Sequence, residues 1–320
     1  MKVNGAKEGI DKSYSEYLLL GALLSLIAII GINSPNFFSA NNLRNILDQA
    51  SYQLILSLGM SFVIASRGID LSIGSIVSLT GIVTATMLST GFSIAISIIN
   101  GLLVAILLGM LNGLIISYFK MAPFVATIGT MNLYRGMSLI ITGGRPIYGL
   151  PDGFTSFSRG NYQQLNPPIF LSLFLVILAY LILKWTQWGK YILTIGSNEK
   201  SLSRVGVNTS LYKVSVYAVS GFLAGIVGLM MVSKLNAAEP NAGLMLESDV
   251  IAAVILGGTT MKGGKASIVG TLLASLLIAI LKNGLTLLSI SSYYQQFFIG
   301  LIIIASVIIS EIRQRRIIHT

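Results

Sequence analysis

Long apolar runs follow one another along almost the whole chain, each near the ~20 residues that a membrane-crossing helix needs. They fall at 17–33, 46–65, 71–89, 94–117, 122–142, 167–184, 213–233, 246–259, 267–288 and 294–311. In hydrocarbon every backbone N–H and C=O must find its partner inside the protein, so a spanning chain is helical or a closed barrel. Barrel strands are about 10 residues long and alternate strictly. These runs are longer and do not alternate. They predict an all-α integral membrane protein with about ten transmembrane helices. Composition agrees: 54% of the 320 residues are apolar and 10% are charged, where a soluble domain has roughly a quarter charged. Residues 1–320 are expected to form a single polytopic domain with short loops.

Some chemistries are excluded at once. The chain has no cysteine, which removes disulfides, thiolate metal sites and cysteine nucleophiles. The one histidine is His319, next to the end. No catalytic residue and no metal ligand is therefore assigned. The net charge of +10 would suggest nucleic acid in a soluble protein. Here the positive-inside bias of membrane proteins explains it, and no nucleic-acid partner is expected.

That bias orients the chain. With the N-terminus inside, 15 Lys and Arg residues fall on cytoplasmic segments and only Arg44, Arg145 and Arg159 outside. An even number of spans puts both termini in the cytoplasm. Residues 1–16 are then a cytoplasmic segment, 185–212 the largest cytoplasmic loop and 312–320 a cytoplasmic tail. No small-residue cleavage site follows the first run, so it reads as a span and not a cleaved signal. Trp185 and Trp188 fit the aromatic belt at the cytoplasmic interface. The external segments are 34–45, 143–166 and 235–247. Their three arginines are candidates for docking an external partner; anchoring a span end is the plainer reading for Arg44.

A short internal repeat is visible. Asp70 opens the third span and Asp249 the eighth; Asn112-Gly113-Leu114 ends the fourth and Asn283-Gly284-Leu285 comes late in the ninth. The assigned topology makes the relation inverted, as in many transporters, where short or Gly-interrupted spans in matching positions flank the transport path. Asp70 and Asp249 can cap helices; both are also candidates for the path or its gate. So are Asn112 and Asn283, whose amides fit sugar hydroxyls or neighbouring helices equally. Arg135 lies deep in its span and needs protein or water there. A carbonyl or carboxylate partner is expected, with a part in the path as the alternative. Gly109-x-x-x-Gly113 and Gly221-x-x-x-Gly225 predict close helix packing.

Two Gly-containing stretches face the cytoplasm. Gly257–Ala266 superficially resembles a phosphate-binding loop, but its lysines lack the required Gly and Ser/Thr spacing, so it reads as a turn. In the loop at 196–208, Gly196 and Gly206 bracket a short helix that Ser197 or Asn198 can cap. Glu199 and Arg204 lie within it.

The motifs SPNFFSANNLRNIL, GIDLSIGS, PFVATIGTMNLYRG, TGGRP, WGKYILTIGSN, AVSGFLAGIVG, ESDVIAAVILGGTTMKGGKASIVGT and NGLTLLSISSYYQ resemble the permeases of bacterial monosaccharide ABC importers, the ribose-type group. The resemblance is collinear over about 30–310. Branched-chain amino-acid permeases are distant relatives, and GIDLSIGS is of the sugar type. The resemblance implies a multi-pass protein of the bacterial cell membrane that is not itself an enzyme. It implies a second permease copy or paralogue, a cytosolic tandem ABC ATPase and an extracytoplasmic solute-binding protein. This chain would bind no cofactor; ATP and Mg would be used by the ATPase. The loop that meets the ATPase carries Gly196, Asn198, Glu199, Arg204, Gly206 and Val207, with Ser201 and Ser203 where the family often has alanine.

The substrate implied is a neutral pentose or hexose, ribose first, with autoinducer-2 and other monosaccharides as alternatives. An ion-coupled secondary transporter is the contrasting class. It would need carboxylates at mid-span, and the sequence places none there. A receptor or scaffold would usually carry a soluble signalling domain, and none fits.

Overall fold

In a computed structural model of the chain, the backbone is described for residues 2–159 and 166–318, and side chains for 16–156, 158, 166–305, 307 and 308. The helices expected as spans are α1 (Lys2–Asn33), α2 (Ala40–Ala65), α3 (Ile73–Ser89), α4 (Ile94–Tyr118), α5 (Pro123–Thr142), α7 (Pro167–Trp185), α9 (Thr209–Leu235), α10 (Leu246–Leu256), α11 (Ile268–Leu287) and α12 (Ser292–Ile318). Local chemistry sets their ends. Ser39, Ser93 and Ser267 each accept a backbone N–H in the first turn of α2, α4 and α11, which satisfies a donor that the helix cannot. Pro123 opens α5, and Gly143 closes it in the left-handed conformation, the usual asymmetry of helix ends. Among the described residues, five helices are long and apolar enough to cross a membrane: residues 16–33 of α1, with α4, α7, α9 and α11.

Two loops are more ordered than their polarity suggests. The stretch expected as a loop at 185–212 contains α8 (Gln187–Arg204). The segment after α5, expected to be external, contains β1 (Ile147–Tyr148) and α6 (Asp152–Arg159), and β1 pairs antiparallel with β2 (Ala237–Ala238). The eighth run also ends early: α10 has 11 residues, preceded by irregular backbone at 239–245.

Helix α9 lies at the centre, packed on α4, α3 and α2. Its approach to α4 depends on missing side chains: a Cβ on Gly109 would strike the Tyr217 carbonyl, and one on Gly221 the Ala105 carbonyl. The two predicted glycine motifs thus do pack helices. The packing also repeats itself. Exchanging α2 with α9, α3 with α10, α4 with α11 and α5 with α12 turns α4–α9 into α11–α2, α3–α9 into α10–α2, α3–α4 into α10–α11 and α3–α5 into α10–α12, and every one of these pairs is in contact.

Candidate functional site

The inner polar cluster is built around Asp70, which is fully buried between α2 and α3. Oδ1 accepts from the Ser72 N–H at 3.0 Å and the Ser72 hydroxyl at 2.7 Å. Asn112 of α4 donates to the Ser72 hydroxyl at 2.7 Å and to Asp70 at 3.4 Å. Ser220 of α9 donates to Oδ2 at 3.1 Å. Tyr134 of α5 donates to the Asn112 side-chain oxygen at 3.1 Å, and Tyr217 of α9 to the Ile69 carbonyl at 3.1 Å. Three segments, the 66–72 connection, α4 and α9, therefore meet at one carboxylate held by neutral donors, with α5 joined to it through Asn112. A buried polar group so satisfied specifies packing; with a partner removed it becomes costly.

The other polar residues singled out form separate contacts. Asp249 does not cap α10: its carboxylate pairs with Lys282 of α11, and the α10 N-cap position is Met245. Gln53 of α2 donates to the Asp249 carbonyl at 3.4 Å. Asn283 and Asn42 exchange amide hydrogen bonds at 2.8 and 3.1 Å, joining α11 to the start of α2. Arg135 finds the expected carbonyl partners, Pro240 at 2.5 Å and Ala242 at 2.7 Å. The structure thus unites Asp70 with Asn112, while Asp249, Asn283 and Arg135 bond elsewhere.

One buried carboxylate, Asp48, is not singled out by the sequence. Asp48 of α2 is buried, paired with Lys234 at 3.0 Å and bonded by Asn166 at 2.6 Å. Asp48 and Asp249 each have a lysine, whereas Asp70 has only neutral donors. Lysine partners 33 and 186 residues away leave no local signal in sequence.

The α7–α9 corner holds the expected short helix. Asn198 has non-helical backbone (φ −157°, ψ 82°), which breaks α8, and its side chain accepts the Ser201 N–H at 3.2 Å. Gly206 adopts φ +84° after the helix, a conformation glycine reaches without strain. Glu199 turns away from Arg204, binding Lys213 at 2.6 Å and the Thr209 hydroxyl at 3.0 Å. Burial alone would raise its carboxyl pKa, but the Lys213 ammonium and the Thr209 hydroxyl outweigh it and hold the group below the usual carboxylate range. Arg204 and Val205 are exposed at the tip, and Val207 is half-buried.

The Gly-rich turn 257–266 belongs to this corner. The Gly264 N–H donates to the Ala65 carbonyl at 2.9 Å. A Cβ on Gly196 would strike that carbonyl, and one on Gly263 would meet the Gly196 backbone. Backbones from α2, α8 and the α10–α11 turn are therefore in direct contact. Trp188 is turned inward, donating to Ser215 at 2.8 Å, whereas Trp185 is exposed. Arg145 is exposed beside β1 and Arg44 half-buried in α2; the side chain of Arg159 lies outside the described residues.

The family model described as branched-chain amino acid transport system / permease component matches residues 42–307. The chain is similar to the ribose import permease protein RbsC of Haemophilus influenzae, 43% identical over 291 residues, 90% of each chain. It is 39% identical to the protein of that name from Bacillus subtilis over 306 residues, 95% of this chain and 94% of that one. The galactose/methyl galactoside import permease protein MglC of Escherichia coli is 32% identical over 328 residues, 95% and 98% of the two chains. No solved structure is significantly similar.

Proposed function

The chain belongs to the family of branched-chain-type transport-system permease components, and on that premise we propose that it carries ribose across the bacterial cell membrane as the permease of an ATP-driven importer. It is a membrane-embedded transport component and not a catalytic one. The observation that carries the sugar is the full-length similarity to proteins named for ribose import, at 38–43% identity. Relatives named for D-allose, galactose and autoinducer 2 match at 31–32%.

The proposal includes ten spans with both termini in the cytoplasm and an inverted repeat. Residues 1–16, the 185–212 corner and 312–320 are then cytoplasmic. Two permease chains sit on a cytosolic tandem ATPase, which binds ATP and Mg, and a solute-binding protein delivers the sugar from outside. Gly196, Asn198, Glu199, Arg204, Gly206 and Val207 form the contact with the ATPase. Arg44, Arg145 and Arg159 face the binding protein. Asp70, Asn112 and Arg135 in one half of the repeat, and Asp249 and Asn283 in the other, belong to the translocation path or its gate. A neutral substrate needs no counter-charge, which suits carboxylates already paired with lysines, as at Asp48 and Asp249, or hydrogen-bonded by neutral donors, as at Asp70.

The test is growth and labelled-ribose uptake in a host lacking its ribose permease but retaining the matching ATPase and binding protein. Expression of this chain should restore both. Restoration of another sugar's uptake but not ribose's would replace the substrate, and restoration of none would reject the class.

A further inference from the structure

Arg135 sits in the middle of α5, roughly 18 Å from its Pro123 end and roughly 10 Å from its Thr142 end. Through Nη1 it holds the Pro240 and Ala242 carbonyls; its Nε and Nη2 donors have no protein acceptor among the described residues. Glu247 lies in the first turn of α10. Its Oε2 rests 3.0 Å from where a Cβ on Gly74 would be. Gly74 is itself roughly 22 Å from the Ser89 end of α3. Both charges therefore lie at membrane depth.

They face each other without touching. The guanidinium of Arg135 is close enough to act electrostatically on the Glu247 carboxylate, yet their nitrogen and oxygen atoms stay beyond the 4.0 Å of an ion pair. Other acids in the helical body are closed on a lysine: Asp48 on Lys234 at 3.0 Å, and Asp249, in the same helical turn as Glu247, on Lys282. Arg135 and Glu247 are both half-buried, and Asn132 is exposed. Gly129, Asn132 and Gly136 are spaced three and four residues apart, along one face of α5. Nothing lies within 4 Å of a Cβ placed on either glycine. Charged side chains at this depth do not face hydrocarbon; they face protein or a water-filled cavity.

A sugar supplies what such a gap takes up. A carboxylate accepts from hydroxyl groups, and a guanidinium donates to hydroxyl or ring oxygens; with one partner ionised, these are the stronger hydrogen bonds. The guanidinium is always charged, so with the carboxylate ionised the pair is neutral overall, as a neutral substrate requires. We propose that Glu247 and Arg135 bind the sugar midway along its path, the carboxylate accepting from sugar hydroxyls and the guanidinium donating to sugar oxygens. The carbonyls of Pro240 and Ala242 fix Arg135, and the α10 turn over Gly74 fixes Glu247, so the gap is preset. The proposal rests on the reading of the chain as a sugar permease, and deepens it by naming the substrate contacts.

The test uses proteoliposomes holding the complete importer, the chain with its ATPase and binding protein, and labelled ribose. Glu247→Gln keeps the side chain's shape and removes its charge. It should cut the ribose moved per ATP hydrolysed about tenfold, the worth of one charge-assisted hydrogen bond. ATP hydrolysis stimulated by the binding protein should stay near the parent rate. Ribose moved per ATP equal to the parent's would overturn the site. Should the variant lose ATP hydrolysis as well, a second measurement decides, made clean by the absence of cysteine. In the complex with ATP, Asn132→Cys should react with a charged, membrane-impermeant thiol reagent, and ribose should slow that reaction. A control, Thr90→Cys on the exposed end of α3, should react at a rate that ribose does not change. No reaction at 132 from either face, or one indifferent to ribose, would overturn the site. Failure of the parent complex to import ribose would instead reject the importer reading on which the site rests.

Discussion

At the residue scale, Asp70 shows how a single buried carboxylate orders its surroundings. Removing it strands the Ser72 N–H and hydroxyl, the Ser220 hydroxyl and one Asn112 amide bond. Each buried group left unpaired costs about 1–3 kcal/mol. Asp70→Ala should therefore lower the melting temperature of the detergent-purified protein far more than Asp70→Asn, which keeps an acceptor oxygen. Equal losses would contradict the network. Glu199 gives a pH prediction of definite sign. Its pKa is depressed in the folded protein, so its stabilisation is present above the ordinary carboxylate range and lost as pH falls through the lowered value. Hydrogen exchange at the α8–α9 corner, corrected for intrinsic rates, should accelerate on acidification. Glu199→Gln should raise it at neutral pH and flatten that response; an unchanged response would show that the ion pair does not hold the corner. The sequence identifies Asp70 and Asn112 as noteworthy, but not Ser220, which arrives from 150 residues away. Asp249 misleads for the same reason: a carboxylate in a helix's first turn suggests a cap, and a lysine on another helix decides otherwise.

At the element scale, apolar runs predict the membrane helices because burial in lipid demands them. The same criterion overlooks α8 and α6, whose residues are too polar to form such runs. Within α8, the short capped helix is legible because a cap and a terminal glycine are local signals: Asn198 and Gly206 do what their types suggest. Its attachment is not, since Gly196 meets Ala65 and Gly264 only in three dimensions. That backbone contact can transmit a push on α8 to α2 and to the α10–α11 turn as a rigid body. Gly196→Val, whose Cβ would displace the Ala65 and Gly264 backbones, should leave a properly inserted chain that holds the ATPase less firmly in a pull-down and loses sugar-stimulated ATP hydrolysis. Normal stimulation would mean that the junction transmits nothing. Replacing Asn198 by Ala removes the cap, worth about 1 kcal/mol, and should weaken ATPase retention modestly.

At the scale of the whole molecule, the repeat glimpsed in two short motifs extends to the helix contacts, where α2–α5 and α9–α12 exchange partners consistently. Four residues of matching sequence could not reveal this, because packing preserves shape where sequence drifts. The basic residues predict the topology. Ser203→Cys, exposed after the α8 kink, should resist an impermeant thiol reagent on intact cells, and Ser156→Cys, exposed in α6, should react. The reverse pattern would invert the molecule.

The central claim is that this chain moves sugar only when a separate ATPase drives it. Proteoliposomes containing the chain, its ATPase and its binding protein, with the ATPase facing outward, measure this directly through sugar accumulated on the binding-protein side's opposite face. External ATP with Mg should drive ribose out of vesicles loaded with sugar and binding protein, and omission of any one component should stop it. Ribose transport by the permease alone, driven by a proton or sodium gradient without ATP, would contradict the account.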